Sequence, residues 1–161
     1  MVIALNVLLK NWVKKGIRDE ALMRISIFGL GYVGAVTGAC LASHGHSVIG
    51  VDINPQKVED FSAGRPSIIE PGMDELLTVG KDKGLLKGSM DCCQAVKESD
   101  VSIVCVGTPS SASGALDLSY VEQVSKELAE AIEKKGSKHY LILRSTMLPG
   151  STESFAKKYF E

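Results

Sequence analysis

Residues 25–34 read Ile-Ser-Ile-Phe-Gly-Leu-Gly-Tyr-Val-Gly, an apolar run that closes in the spacing G-x-G-x-x-G. This pattern is typical of a buried strand, a tight turn and the first turn of a helix. In such a unit Gly29 allows the turn, Gly31 lets a pyrophosphate approach the backbone, and Gly34 lets the helix pack closely on the strand. The glycine spacing therefore predicts a phosphate site at the start of the helix.

Two further features extend the glycine turn into a dinucleotide site. The N–H groups of Tyr32 and Val33 open the predicted helix, where they and the helix dipole favour bound phosphate. The next apolar run, 47–51, ends at Asp52, 18 residues after Gly34. About 20 residues are expected before a carboxylate that accepts ribose hydroxyls. Because that carboxylate would repel a 2′-phosphate and no arginine follows it closely, the sequence favours NAD over NADP.

Asp52 and Lys57 also have plainer interpretations. Asp52 could simply cap the end of a strand, but the glycine turn upstream favours ribose binding. Lys57 lies one turn into the following predicted helix, from which it could reach the adenosine ribose or Asp52. Most lysines at such positions are solvated.

Strand and helix patterns alternate along the rest of the chain. Besides the glycine turn, strands are predicted at 47–51, 101–106 and 140–143, and helices at 54–64, 73–83, 92–98 and around 121–132. Such alternation predicts an α/β fold, a doubly wound (Rossmann-type) parallel sheet with helices on both faces. Ligands of such sheets lie at the carboxyl ends of the strands.

That rule brings two more polar segments to the predicted site. Gly107-Thr108-Pro109 follows one buried strand and Ser145-Thr146 follows another. A Thr108 hydroxyl there could bind the ribose or phosphate on the nicotinamide side, although an ordinary turn closed by Pro109 would look the same. Ser145-Thr146 could instead cap a helix that begins after Pro149-Gly150.

Composition bounds the class of protein. With 161 residues, 45% of them hydrophobic, and a formal net charge of -1, the chain suits one globular domain without a basic surface for nucleic acid. No apolar run approaches the roughly 20 residues that span a membrane. The four cysteines show no C-x-x-C spacing, so we expect no metal site and no disulfide framework. Cys40 and Cys105 fit buried positions, and a cytoplasmic location is expected.

Residues 1–22 stand apart as an N-terminal extension before a domain of residues 23–161. Apolar residues recur there at helical spacing with lysines on other faces, which predicts a helix and leaves a membrane-surface role as the alternative. Met23, directly before the first strand, would be a natural start. The three histidines, His44, His46 and His139, are expected to face solvent.

The motifs together resemble one family, the UDP-glucose/GDP-mannose dehydrogenases. They are Gly29–Gly34, Val51-Asp52, Glu70-Pro71-Gly72, Val106–Pro109, Gly114–Asp117 and Arg144–Gly150. The resemblance implies NAD as the cofactor and implies that Tyr32, Val33, Asp52, Lys57, Thr108 and Thr146 contact it. It also implies a supporting role for Thr146 in ordering water near the reacting carbon. Within the family the chain looks most like the members that oxidise GDP-mannose, with UDP-glucose as the alternative.

The resemblance also implies a reaction that these residues would not complete. Such enzymes oxidise a sugar-nucleotide alcohol to a carboxylate in two NAD-dependent steps through a catalytic cysteine, which lies in a Gly-Gly-x-Cys-x-x-Lys-Asp segment. No such segment occurs among the 161 residues, so no catalytic residue is assigned. We expect an NAD-binding domain cut before the central helix and the sugar-nucleotide domain, and inactive alone. Sugar nucleotide and a homodimer would require the missing half. A stand-alone nucleotide-binding module that acts through a partner is the alternative.

Overall fold

The computed structural model describes residues 22–66, 71–110 and 114–160. Five strands are β1 (Arg24–Phe28), β2 (Ser47–Val51), β3 (Leu86–Ser89), β4 (Val101–Val104) and β5 (Tyr140–Leu143). Six helices are α1 (Tyr32–Ser43), α2 (Pro55–Ser62), α3 (Met73–Asp82), α4 (Cys92–Glu98), α5 (Ser119–Lys135) and α6 (Ser151–Tyr159). The helix predicted for the N-terminal extension and the Glu70 position lie outside the described residues.

All five strands run parallel, in the order β3-β2-β1-β4-β5. Strand β1 lies at the centre, where Phe28 is the partner of Val51 on one side and of Val104 on the other. The chain moves outward from β1 to β3 and then crosses back to β4. The doubly wound parallel sheet predicted from the sequence is confirmed, and the point where the strand order reverses lies between β1 and β4.

Each face of the sheet has its own apolar core. On one face, strand residues such as Ile27 and Ile103 pack with α1, α2 and α3. On the other face, Phe28 and Val104 pack with Leu128 of α5 and with α4. The central strands therefore carry apolar side chains on both faces, as a strand with helices above and below requires.

Helix α2 begins as its sequence predicts. The Asn54 side chain accepts a hydrogen bond of 2.9 Å from the backbone N–H of Gln56, and Pro55 occupies the first helical position. An Asn cap followed by proline satisfies one of the orphan N–H groups at a helix start. This cap fixes the direction in which the chain leaves the end of β2.

Four details differ from the sequence-based expectations. Strand β3 was not predicted, and β4 ends at Val104 rather than Val106. Strand β5, expected to be buried, is half-buried because it pairs with β4 alone among the described strands. Cys40, also expected to be buried, is half-buried on α1. Among the described helices, none combines the length and the apolar character that crossing a membrane requires.

Candidate cofactor-binding site

The glycine turn packs tightly on one side and is open on the other. Gly29 has φ +96°, and a Cβ there would lie 2.9 Å from the backbone nitrogen of Val106. A Cβ on Gly34 would lie 1.8 Å from the carbonyl oxygen of Gly29. A Cβ on Gly31, by contrast, would meet no atom within 4 Å. Two of the glycines are therefore required by packing, while the third leaves space above the turn.

Helix α1 begins directly after that open position. Its first intrahelical hydrogen bond runs from the N–H of Ala35 to the carbonyl of Gly31, at 2.9 Å. The N–H groups of the first turn, such as those of Val33 and Gly34, precede this bond and have no carbonyl within the helix to bind. Together with the positive end of the helix dipole, they make the open side of the turn suited to an anion.

Asp52 is held against the glycine turn by two backbone N–H groups. Its Oδ2 accepts from Leu30 at 2.7 Å, and its Oδ1 accepts from Asn54 at 2.9 Å. The Nζ of Lys57 lies 3.8 Å from Oδ2, and the Asp52 side chain is only 10% exposed. An ionised carboxylate offers about four acceptor positions. The N–H groups of Leu30 and Asn54 use two of them.

The ends of β4 and β5 are joined by side-chain hydrogen bonds. The Thr108 hydroxyl donates to the Thr146 carbonyl at 2.9 Å, and the Ser145 hydroxyl donates to the Val106 carbonyl at 2.7 Å. Thr146 is exposed and Thr108 is half-buried. Since the strands are parallel, both loops lie at the same edge of the sheet as the glycine turn and Asp52. The structure thus places all four predicted segments at the carboxyl ends of neighbouring strands.

Sequence reasoning missed two features of this edge. One is the role of the Leu30 N–H as the link between the turn and Asp52. The other is a set of exposed apolar side chains in the strand-end loops, including Ile53 at 87% and Leu148 at 66% exposed. Ile53 stands between the acid and the helix cap, a position that could have drawn attention to it. Apolar side chains with a few placed polar groups are typical of ligand sites.

Two of the four cysteines, Cys92 and Cys105, lie in surroundings that disfavour the thiolate. Burial raises the pKa of the Cys92 thiol to about 12 and also raises the pKa of Cys105, although nearby Arg144 opposes the latter shift. A thiol with a raised pKa is protonated at neutral pH and unreactive. Within residues 22–66, 71–110 and 114–160, no cluster of metal-ligating side chains occurs.

All three histidines were predicted to face solvent, but two of them are half-buried. His46 accepts a hydrogen bond of 3.2 Å at Nδ1 from the N–H of Met23. The Nε2 of His139 lies 2.8 Å from the hydroxyl of the buried Ser102. Both are half-buried near the amino ends of the strands, away from the edge that gathers the predicted site, whereas His44 is exposed as expected. None of the three contributes to that edge.

Comparison with known proteins shows which family the chain belongs to. Residues 23–161 match the model described as "UDP-glucose/GDP-mannose dehydrogenase family, NAD binding domain". GDP-mannose 6-dehydrogenase of Pseudomonas aeruginosa is 50% identical over 132 residues, which are 82% of this chain and 30% of that protein. The chain thus spans under a third of the length of the curated relatives it matches.

Solved structures agree with the sequence matches. The ternary complex of GDP-mannose dehydrogenase from Pseudomonas aeruginosa has a TM-score of 0.82 at 46% identity, covering 86% of this chain and 33% of that one. A UDP-glucose dehydrogenase from Pyrobaculum islandicum has a TM-score of 0.83 at 38% identity, covering 88% and 33%. The chain belongs to the UDP-glucose/GDP-mannose dehydrogenase family, whose members are NAD-dependent sugar-nucleotide dehydrogenases, and it carries the family's NAD binding domain.

Proposed function

We propose that NAD lies along the carboxyl ends of β2, β1, β4 and β5, and that the residues predicted from the sequence contact it. In this proposal the pyrophosphate lies over Gly29, Gly31 and Gly34 and accepts hydrogen bonds from the N–H groups of Tyr32 and Val33. The observation that carries the proposal is the open space above Gly31 beside the start of α1, in a turn that is otherwise closely packed. A dinucleotide site needs this combination of close approach and anion affinity.

The adenosine half is assigned to the side of Asp52. Its two acceptor positions not used by Leu30 and Asn54 suit the two hydroxyls of a ribose. Lys57, with its Nζ 3.8 Å from the carboxylate, stands close enough to approach the same sugar. Ile53 provides an exposed apolar surface next to it for the adenine ring.

The nicotinamide half is assigned to the ends of β4 and β5. In doubly wound sheets a dinucleotide crosses the point where the strand order reverses, so its two halves occupy opposite sides of that point. The half-buried Thr108 and the exposed Thr146 lie there and are hydrogen-bonded to each other. Thr146 is also proposed to support the order of water near the reacting carbon.

For the protein to which these residues belong, we propose the oxidation of a GDP-mannose-type sugar nucleotide to the corresponding carboxylate. The support is the higher identity to the GDP-mannose structure, 46%, than to the UDP-glucose structure, 38%. The 161 residues contain no Gly-Gly-x-Cys segment. We therefore propose that they bind NAD, that sugar nucleotide and homodimer contacts need the further domain, and that the protein works in the cytoplasm.

The test is a pair of measurements on the 161-residue chain. Calorimetry with NAD and with NADP should give binding of NAD and weaker binding of NADP. An assay with NAD and GDP-mannose should give no NADH above the no-enzyme control. Absence of NAD binding would refute the cofactor assignment. Steady NADH production would refute the proposal that these 161 residues bind NAD without completing the reaction.

A further inference from the structure

Two hydrogen bonds cross between the loops that follow β4 and β5, and they run in opposite directions. The Ser145 hydroxyl donates to the Val106 carbonyl at 2.7 Å, and the Thr108 hydroxyl donates to the Thr146 carbonyl at 2.9 Å. We call this pair of bonds the strand-end clasp. The last backbone bond between the two strands, from the N–H of Arg144 to Val104, lies just before it. Beyond that point the two side-chain hydrogen bonds of the clasp, rather than backbone hydrogen bonds, join the two chain segments.

The clasp fixes the hydrogen-bonding character of Thr108. A threonine hydroxyl has one proton and two acceptor lone pairs. Since its proton is directed at the Thr146 carbonyl, the oxygen of the half-buried Thr108 can offer a ligand at this edge only its acceptor lone pairs. An acceptor suits ribose hydroxyls or an amide NH₂, and it does not suit phosphate oxygens, which are acceptors themselves. Of the two partners considered for Thr108, the geometry thus favours the ribose.

Ser145 is half-buried, and its hydroxyl proton is used by the bond to the Val106 carbonyl. Its bond holds Val106, two residues before Thr108, at a fixed distance from the end of β5. Without it, the bond from Thr108 to Thr146 would be the one clasp bond left, beside the bond from the Asp117 N–H to the Pro109 carbonyl on the other side of the loop. We propose that Ser145 is a positioning residue for NAD, which acts by holding the acceptor oxygen of Thr108 against the nicotinamide half of the dinucleotide. This inference rests on the proposed NAD site.

The experiment compares NAD with ADP on the 161-residue chain and its variants, by calorimetry. ADP occupies only the side of the glycine turn and Asp52, whereas NAD also reaches the clasp. We expect Ser145→Ala to weaken NAD binding about three- to tenfold, the effect of one net hydrogen bond, and to leave ADP binding unchanged. Ser145→Thr, which keeps the hydroxyl, should bind NAD nearly as the parent chain does.

Ser43→Ala is the matched control. The Ser43 hydroxyl also donates to a backbone carbonyl, that of Cys40 at 2.8 Å, but it lies at the far end of α1. We expect this variant to bind NAD normally. An Ser145→Ala variant that binds NAD like the parent, or that loses NAD and ADP equally, would overturn the positioning role. A parent chain that binds no NAD would instead contradict the proposed function itself.

Discussion

The backbone N–H of Leu30, in the middle of the glycine turn, donates a hydrogen bond of 2.7 Å to Oδ2 of Asp52 at the end of the next strand. The two parts of the dinucleotide pattern, the turn and the acid, are therefore one hydrogen-bonded unit. The Asp52 carboxylate is held beside the turn by the protein's own hydrogen bond, without a ligand. A charged acceptor bound to a backbone N–H makes a stronger bond than a neutral one, so the shape of the turn depends on Asp52.

Asp52→Ala should therefore weaken both binding and stability. Without the carboxylate the ribose loses its acceptors, and we expect NAD affinity to fall at least about tenfold. The N–H of Leu30 loses its partner in a part-buried place, which should cost about 1–3 kcal/mol of unfolding free energy. Calorimetry and denaturant unfolding measure the two effects.

Asp100 supplies the matched control for Asp52. It is also a carboxylate bound to a neighbouring strand, through the Arg24 side chain at 2.6 Å, but at the amino end of the sheet. Asp100→Ala should leave NAD affinity unchanged. Equal loss of affinity in the two variants would mean that Asp52 acts only through stability.

Gly31→Ala should separate binding from folding. The residue has φ −76° and extended backbone, and a Cβ there would meet nothing within 4 Å. The free protein should consequently tolerate alanine with unchanged thermal unfolding. The new methyl group would occupy the space assigned to the pyrophosphate, so NAD affinity should fall about tenfold or more. Unchanged NAD affinity would remove the pyrophosphate from this position.

Gly34→Ala, unlike Gly31→Ala, should lower the stability of the free protein. Its Cβ would lie 1.8 Å from the Gly29 carbonyl oxygen, a backbone atom that cannot move without opening the turn. We expect a loss of about 3 kcal/mol in unfolding free energy, at the upper end for overpacking. Denaturant unfolding measures this loss. A Gly34→Ala protein as stable as Gly31→Ala would show that the turn is not closely packed.

The sequence predicts the elements whose causes are local. The β1–α1 unit follows from the glycine spacing, and α2 follows from the Asn54-Pro55 start. Strand β3 has no such signal, because Leu-Lys-Gly-Ser contains neither alternation nor β-branched residues. It pairs with β2, and Gly88 fits closely against α2, where its N–H donates to the Ser62 hydroxyl at 2.6 Å. Gly88 and Ser62 are 26 residues apart, so their contact cannot be predicted from the local sequence pattern.

The same distinction applies to the site. Its four segments could be predicted because the rule for parallel sheets places strand ends together. The hydrogen bonds between them, from Leu30 to Asp52 and from Thr108 to Thr146, depend on backbone positions that only the folded chain supplies. His139 was misassigned for the same reason. The residues around it are polar, and its partner Ser102 lies 37 residues away.

His139 makes the stability of the domain depend on pH. Its Nδ1 lies 2.9 Å from the Nζ of Lys135, and its Nε2 contacts Ser102. Burial first, and then the charge of Lys135, lower the pKa of His139 to about 4, although Asp100 opposes this shift. Because the lysine can only donate, Nδ1 is the acceptor and the neutral ring carries its proton on Nε2. Protonation of Nδ1 would break that contact.

Stability should therefore fall as the pH is lowered from about 6.5 to about 4, the interval between the ordinary and the folded pKa of His139. In that interval the unfolded chain binds a proton that the folded chain does not. We expect a loss of about 1–2 kcal/mol, less than the full shift implies because the ring is only half-buried. Burial, and after it the charge of His44, also lower the pKa of His46, so the parent slope contains both residues, and His139→Gln should flatten it in part. His44→Gln, at an exposed position, is the control; it should keep the His139 part of the slope and change only the part that His44 exerts through the pKa of His46. Urea unfolding at several pH values measures these slopes, and an unchanged slope in His139→Gln would show that the ring is protonated in the fold without cost.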